Sequence, residues 1–209
     1  MSESKNLLLV SPGCPHCHAM QALLQQLQQQ NRLTSVEVID ISLQPQVAEK
    51  YGVRSVPWLR LGELEFAGSH SLAELEPWLP GVASATLADY FAHLLKAGNL
   101  AQVTDRIRRE PESLSALVKL LAEAETPITV QLGIGAAMES LEGSSALAQQ
   151  TTALAALIDS DEPRIRADVC HYLGLTGNRA ALPALETCLQ DDHADVREIA
   201  QESIEALGQ

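Results

Sequence analysis

The sequence predicts an α/β domain with a mixed sheet and helices on both faces, followed by an all-α domain of helical repeats. Two patterns along the 209 residues support this division. The first eighty residues alternate short apolar runs with amphipathic segments, whereas no strand pattern is evident after residue 80. In the second part, an internal similarity at an offset of 31 residues indicates stacked helical hairpins.

The elements of the first part follow from local patterns. The apolar run Leu7-Leu8-Leu9-Val10 predicts a buried strand, and Gly52 and Gly62 mark the end of a short helix and a hairpin turn. Ser71 and Glu74 have the spacing of a capping box. The predicted strands are 7–11, 36–41, 54–61 and 63–66, and the predicted helices are 14–30, 45–51 and a last helix, capped by Ser69 or Ser71, that ends near residue 79.

The segment Cys14-Pro15-His16-Cys17 lies where the first strand gives way to the first helix. This position places the sulfur of Cys14 at a helix N-terminus, where unpaired backbone N–H groups and the helix dipole favour a thiolate. The thiolate is the form of cysteine that attacks disulfides. The spacing therefore predicts a thiol–disulfide exchange site.

The segment Tyr51-Gly52-Val53-Arg54-Ser55-Val56-Pro57, about forty residues after the cysteine pair, resembles the region around the cis-proline of thioredoxins. The resemblance covers residues 5–80 and implies an α/β thioredoxin-like domain at 1–80, of the short, glutaredoxin-sized type. It implies that Cys14 is the nucleophile, Cys17 the resolving thiol and Pro57 a cis residue that faces them. The backbone of Val56 is then expected to pair with an extended substrate.

The two residues between the cysteines, Pro15 and His16, are similar to those of bacterial periplasmic disulfide-forming relatives of thioredoxin. His16 is expected to lower the pKa of the Cys14 thiol and so make the disulfide more oxidising. The expected substrate groove contains Pro15, Val56 and Trp58, although Trp58 has the alternative of a core position. Reductase and oxidase or isomerase directions both stay open.

Two other chemistries use paired cysteines. Cys14 to His18 matches the C-x-x-C-H pattern of c-type haem attachment, and His16 and His18 could join the cysteines at a metal. A closed structural zinc site needs four ligands, and the sequence has no second cysteine pair of this spacing. We therefore predict no metal and no cofactor beyond the cysteines.

The charge and the N-terminus limit location and partners. Residues 1–80 carry 5 basic and 8 acidic side chains (−3), so residues 81–209 carry the remaining −10 of the total −13. An acidic surface disfavours nucleic acid and anionic membranes as partners. Met1-Ser2-Glu3-Ser4-Lys5 lacks the features of a signal peptide. We therefore predict a cytoplasmic protein in which paired cysteines are catalytic or metal-binding rather than structural.

Residues 81–85 are predicted to be a linker, and residues 86–209 a helical domain. The segment at 161–167 resembles HEAT repeats of the phycobilisome-lyase type, and the repeats are clearest at 127–208. Arg166 and Arg197 are expected to bind neighbouring repeats. Cys170 and Cys188 are expected as buried core thiols on the two helices of one repeat. The predicted helices are 87–97, 100–109, 111–123 and 127–141, followed by the paired helices of each repeat.

Together these features predict a protein thiol–disulfide oxidoreductase that acts on protein cysteines or disulfides. The helical-repeat domain is expected to dock a client or a partner, because stacked helical repeats present extended binding surfaces. The alternative is a non-catalytic helical scaffold whose CxxC domain senses redox state or binds a metal. The sequence contains no indication of oligomeric state.

Overall fold

A computed structural model describes residues 6–79 and 86–208 of the chain. The chain divides into two compact units, Met1–Leu87 and Ala88–Gln209. The predicted linker at 81–85 lies outside the described residues. No helix among the described residues has both the length and the apolar character needed to cross a membrane.

The first unit is built on a four-stranded mixed sheet with the spatial order β2-β1-β3-β4. Strand β1 runs parallel to β2 and antiparallel to β3, which in turn runs antiparallel to β4. Three helices accompany the sheet, and the class of fold predicted from the sequence is confirmed. The elements are β1 (Asn6–Val10), α1 (Pro15–Gln29), β2 (Val36–Asp40), α2 (Pro45–Lys50), β3 (Trp58–Leu61), β4 (Leu64–Ala67) and α3 (Leu72–Leu75).

Both faces of the sheet are covered. On one face, Leu9 and Trp58 are register partners, and α2 packs against this side through Val47 and Ala48. Leu8, Leu59 and Phe66 are register partners on the opposite face. The ring of Phe66 contacts Trp78 and His70, which lie on either side of α3. The central strand β1 is therefore buried on both sides, as its unbroken apolar run requires.

Two elements of this unit differ from the sequence prediction. Strand β3 begins at Trp58 instead of residue 54, because the preceding Pro57 has no N–H to contribute to a sheet ladder. The last helix ends early: α3 gives way to a 3₁₀ turn at Glu76–Trp78. Pro77, in the middle of this turn, cannot donate the hydrogen bond that an α-helix would need there.

The described residues of the second unit are helical. Two predicted helices are shorter than expected, since Pro111–Leu114 forms a 3₁₀ turn before α6 and Pro127 is the extended N-cap of α7 rather than a residue of its first turn. The helices are α4 (Leu87–Lys96), α5 (Leu100–Arg109), α6 (Ser115–Leu121), α7 (Ile128–Glu139), α8 (Ser145–Ala148), α9 (Thr151–Ala155), α10 (Pro163–Leu175), α11 (Leu182–Cys188) and α12 (Ala194–Leu207).

The 31-residue offset is a structural repeat. Helices α9 and α11 begin 31 residues apart, and so do α10 and α12. The side-chain contacts repeat as well: Arg166 donates to the carbonyl of Ser160 at 2.8 Å, and Arg197 donates to the carbonyl of Asp191 at 2.6 Å. The same residue type therefore closes the same turn in each copy.

Arg166 also connects successive helices. Its guanidinium donates two hydrogen bonds to the carboxylate of Asp191, at 2.6 and 2.9 Å, and both side chains are largely buried. Asp191 follows α11, so the ion pair joins α10 to the segment that leads into α12. A bidentate guanidinium–carboxylate pair fixes orientation as well as distance. This is the interface role expected for Arg166.

Candidate active site

Cys14 lies at the junction of β1 and α1, where it is the N-cap residue of the helix. Its backbone is extended (φ −86°, ψ 109°), and Pro15 begins the helix with the fixed φ that suits this position. The sulfur of Cys14 accepts a hydrogen bond from the N–H of Cys17 at 3.2 Å. It thus satisfies one of the unpaired donors of the helix N-terminus, in the place where the sequence predicts a thiolate.

The two sulfurs of the pair lie in different environments. Cys14 is half-exposed, whereas the side chain of Cys17 is buried on the inner face of α1. Burial raises the pKa of the Cys17 thiol, and its hydrogen bond with Cys14 raises it further, while a backbone hydrogen bond from Ser11 acts in the opposite direction. Cys14 is accordingly the accessible sulfur, and Cys17 the sheltered, protonated one.

The loop before β3 meets the cysteine pair. The Val56–Pro57 peptide bond is cis. The thiol of Cys14 lies 4.0 Å from the carbonyl oxygen of Val56, within reach of a weak S–H hydrogen bond. Pro57 is buried, and its own carbonyl accepts a hydrogen bond from the N–H of Gly68 at 2.9 Å, which holds the loop to the end of β4. Val56 precedes β3 by two residues and lies outside the sheet ladder.

Pro15 and His16 directly follow Cys14 in the sequence, and both are exposed in the first turn of α1. Within the described residues, the imidazole of His16 makes no hydrogen bond, and Cys14 has Cys17 and Val56 as its side-chain partners. The role of His16 stays a prediction.

The sequence allows Trp58 either a place in the substrate groove or a place in the core, and the side chain lies in the core. Its side chain is 5% exposed and belongs to the apolar cluster between the sheet and α2. The ring stacks on Tyr51 with the centroids 5.2 Å apart. The guanidinium of Arg60 lies over the ring of Tyr51, 5.1 Å from its centroid. Trp58 thus supports the Val56–Pro57 loop from below and does not line an open groove.

Two contacts that position the pair are not predicted by the sequence patterns. The carbonyl of Ser11 accepts a hydrogen bond from the N–H of Cys14 at 3.4 Å, which fixes the turn between β1 and α1. The sulfur of Met20 accepts the N–H of His70 at 3.2 Å and ties α1 to the segment after β4. The position of Ser11 at the end of an apolar run was a signal for the first contact, whereas the second depends on the tertiary fold.

The arrangement is suited to thiol–disulfide exchange. One accessible sulfur is hydrogen-bonded at a helix N-terminus, and a second, protonated thiol lies three residues further along the same helix. No group of three or more His, Cys, Asp or Glu side chains that could hold a metal ion occurs in residues 6–79 and 86–208. The geometry of the two thiols agrees with the chemistry of disulfide exchange.

Two segments of the chain match models of known families. Residues 5–80 match the model of the thioredoxin domain, and residues 135–205 match the model of HEAT repeats. The thioredoxin of Methanocaldococcus jannaschii is 35% identical over 71 residues, which are 33% of this chain and 84% of that protein. Through its N-terminal domain, to which C-terminal HEAT repeats are joined, the chain belongs to the thioredoxin family.

Proposed function

We propose that the protein is a thiol–disulfide oxidoreductase that acts on cysteines of other proteins, with Cys14 as nucleophile and Cys17 as resolving thiol. The observation that supports this most directly is the hydrogen bond from the Cys17 amide to the half-exposed Cys14 sulfur. This bond holds the sulfur at the helix N-terminus, where it is accessible to a substrate. The similarity to a thioredoxin over most of that protein's length supports the same reaction class.

In the reductive direction, the Cys14 thiolate attacks one sulfur of a substrate disulfide. A mixed disulfide forms, and the other substrate sulfur leaves as a thiolate that takes up a proton. Cys17 then loses its proton and attacks the Cys14 sulfur, which releases the second substrate thiol and leaves a Cys14–Cys17 disulfide. The reverse sequence of steps oxidises a substrate dithiol.

The substrate groove is assigned to the surface formed by Pro15 and the Val56–Pro57 loop. Pro15 is exposed beside Cys14, and the carbonyl of Val56 lies near the Cys14 sulfur. An extended substrate that pairs with the backbone of Val56 would carry its own sulfur to Cys14. His16, which is exposed in the first turn of the same helix, is proposed to adjust the redox potential of the pair.

The second unit, Ala88–Gln209, contains the HEAT repeats and is called the HEAT domain below; it is proposed to dock a client protein. Helix α7 exposes two large apolar side chains one helical turn apart, Ile128 (64% exposed) and Leu132 (68% exposed). Side chains four residues apart lie on the same helix face, so the two form one apolar patch. This patch supports a protein partner over nucleic acid or a membrane surface, since the chain carries a net charge of −13.

The reaction is tested by insulin reduction with dithiothreitol as electron donor. The unmodified protein should accelerate the reaction, Cys14→Ser should fall to the background rate, and Cys17→Ser should accumulate mixed disulfides through Cys14. Cys188→Ala is the matched control, because this thiol lies in the HEAT domain. Full activity of Cys14→Ser would overturn the assignment.

The same apolar patch also favours the second candidate, a scaffold in which the cysteine pair is not catalytic. The two functions differ in what the Cys14→Ser/Cys17→Ser variant can do. A client held only through the reaction should lose its association with that variant. A partner that binds the double variant, the reduced protein and the oxidised protein equally well would favour the scaffold.

A further inference from the structure

A small cavity lies between α10 and α12, the second helices of the two clearest repeats. Its volume is about 240 Å³, and its wall includes Leu175 of α10 together with Ile199 and Ala206 of α12. Leu175 and Ala206 are equivalent positions of the 31-residue repeat, so the cavity results from the way in which the two copies stack. Part of its wall is therefore aliphatic.

A buried hydroxyl without a partner belongs to the same wall. Ser203 of α12 is 6% exposed and borders the cavity. Its Oγ lies beside Gly174, which is another residue of the wall. Among the described residues this hydroxyl makes no hydrogen bond, whereas the hydroxyl of Thr176, which is also buried, donates to the carbonyl of Leu173 at 2.6 Å. Because a buried hydroxyl without a partner is costly, Ser203 points to a bound group that supplies one.

The exposed edge of the cavity is acidic. Glu142 and Glu202 of the wall are both exposed, and within residues 6–79 and 86–208 neither carboxylate forms a hydrogen bond or an ion pair. The N–H of Gly143 donates to the carbonyl of Leu175 at 2.9 Å, which fixes the turn after Glu142 to the end of α10. Two unpaired carboxylates thus border an aliphatic cavity.

His171 is the remaining ionisable residue in the described wall of the cavity. Its ring is exposed, and Nε2 lies 3.9 Å from the carboxylate of Glu139, which offsets the charge of a protonated ring. The surroundings are therefore negative, in agreement with the 9 basic and 19 acidic side chains of residues 81–209.

The size and the chemistry of the cavity together select a class of ligand. Sites for drug-sized molecules have volumes of about 300–1,000 Å³, so a cavity of 240 Å³ suits a single long side chain. Lysine and arginine combine an aliphatic stem, which packs on apolar surface, with a charged head that stays at the edge of the solvent. The head group carries several N–H donors, which suit carboxylates and a hydroxyl oxygen.

We propose that the cavity between α10 and α12 binds an arginine or lysine side chain of a protein partner. The stem contacts the three aliphatic side chains, Glu142 and Glu202 bind the charged head, and the hydroxyl of Ser203 accepts a hydrogen bond from it. The partner surface is basic and complements the charge of the domain. The inference rests on the docking role proposed for the HEAT domain and adds the chemistry of the partner.

Binding is measured by NMR on the full chain with Cys14→Ser and Cys17→Ser and with isotope-labelled Ile and Leu methyl groups. The probe is N-acetyl-L-arginine amide, and the control is N-acetyl-L-citrulline amide, whose head is neutral. The arginine probe should shift the methyl resonances of Leu175 and Ile199 with saturation in the millimolar range, and the citrulline probe should bind at least about tenfold more weakly. The absence of a saturable shift, or equal binding of the two probes, would overturn the proposal.

Charge-neutralising variants locate the binding site. Glu142→Gln/Glu202→Gln should weaken binding of the arginine probe at least about tenfold, because both carboxylates that bind the head are lost. Glu198 is exposed on the same helix but outside the cavity wall, so Glu198→Gln is the matched control and should change the affinity less than about twofold. Equal losses in the two proteins would mean that only net charge matters, and this result would overturn the proposal.

Client trapping distinguishes a protein partner from a free cation. When combined with Cys17→Ser, Glu142→Gln/Glu202→Gln should reduce the yield of mixed disulfides with client proteins. Binding of the arginine probe together with unchanged trapping would assign the cavity to a free cation and overturn the proposal. If the Cys17→Ser protein forms no mixed disulfides at all, the redox function is contradicted, whereas the NMR titration still decides whether the cavity binds a basic side chain.

Discussion

The backbone N–H of Cys17 donates a hydrogen bond of 3.2 Å to the sulfur of Cys14. One residue therefore supplies two things: the donor that holds the exposed sulfur, and the buried thiol that can later displace a substrate from it. Cys14 is the N-cap of α1 and Cys17 lies in the first turn of the same helix, so the helix geometry keeps the two residues close together. The asymmetry between the two cysteines leads to a direct test of reactivity.

Alkylation of the reduced native protein should separate the two cysteines. Cys17 is buried and its pKa is raised, so its thiol stays protonated at pH values where an ordinary cysteine, with a pKa of about 8.5, ionises. At pH 7 with iodoacetamide, Cys14 should react at least about tenfold faster than Cys17. Peptide mass spectrometry after short reaction times measures both rates.

The Cys14→Ser variant provides the control for this experiment. Cys17 should stay slow in that variant, because burial is the largest cause of its raised pKa. Fast alkylation of Cys17 at pH 7, in either protein, would contradict the sheltered position of the resolving thiol.

The Arg166–Asp191 pair should make the stability of the HEAT domain sensitive to acid. The hydrogen bonds from Arg166 lower the pKa of Asp191 to about 2, against an ordinary value of about 3.9. A depressed pKa in the folded state contributes stability that is present above the unfolded pKa and is lost as the pH falls through the folded pKa. The contribution of Asp191 should therefore disappear between about pH 5 and pH 2.

Replacing Asp191 removes this contribution. Asp191→Asn should lower the free energy of unfolding by about 1.5–3 kcal/mol at pH 7, the range for hydrogen bonds to charged groups. The loss relative to the unmodified protein should shrink toward pH 2, and urea unfolding at several pH values measures it. The neighbouring Asp192 is exposed, so Asp192→Asn is the control and should change stability little. Equal effects of the two variants would argue against a special role for Asp191.

Helices α10 and α12 approach each other closely at Gly174. A Cβ atom added there would lie 2.8 Å from Oγ of Ser203, 2.9 Å from its Cβ and 3.2 Å from its Cα. The last of these atoms belongs to the backbone, so the helices would have to separate. Gly174→Ala should therefore destabilise the domain by about 1–3 kcal/mol, the usual cost of overpacking.

Gly135 provides a matched control, because it is also a helical glycine of the same domain. A Cβ at this position meets only the hydroxyl of Tyr172, at 3.4 Å. Gly135→Ala should be neutral or stabilise by up to about 1 kcal/mol, because alanine is the better helix former. Thermal unfolding followed by circular dichroism distinguishes the two. A Gly174→Ala protein as stable as Gly135→Ala would show that the two helices are further apart than described.

The apolar patch of α7 should matter for protein clients and not for the chemistry. Ile128→Glu/Leu132→Glu places two charges on the exposed face, where the fold makes little use of the side chains. When combined with Cys17→Ser, these changes should reduce the yield of mixed disulfides with client proteins. In a protein that keeps Cys17, they should leave the rate of insulin reduction within about twofold of that of the unmodified protein. Unchanged client trapping would remove the docking role from this patch.

Local signals in the sequence were sufficient for the class of fold and for the position of the cysteine pair. The apolar run before Cys14 and the proline after it determine a strand end and a helix start, and both depend only on neighbouring residues. The 31-residue repeat was visible for the same reason, since each copy repeats its own turn contacts through Arg166 and Arg197.

The remaining features depend on partners distant in sequence. The contact between Cys14 and the carbonyl of Val56 joins residues 42 positions apart, and no local pattern specifies it. The choice of Asp191 as the partner of Arg166 depends in the same way on how α10 packs beside the following helices. The sequence predicted an interface role for Arg166 but not the carboxylate that it binds.

The central claim is that Cys14 and Cys17 exchange electrons with disulfides as a pair. The most direct measurement is a peptide-resolved redox titration of the full chain against glutathione, in which the Cys14–Cys17 peptide is followed separately from the other two cysteines. We predict a reversible two-electron transition with a midpoint between roughly −120 and −270 mV, the range of CxxC oxidoreductases. A midpoint near about −270 mV would indicate a reductase, and a midpoint near about −120 mV would indicate an oxidase or isomerase. A Cys14–Cys17 disulfide that never forms, or a titration that stops at a glutathione adduct of Cys14, would contradict this claim.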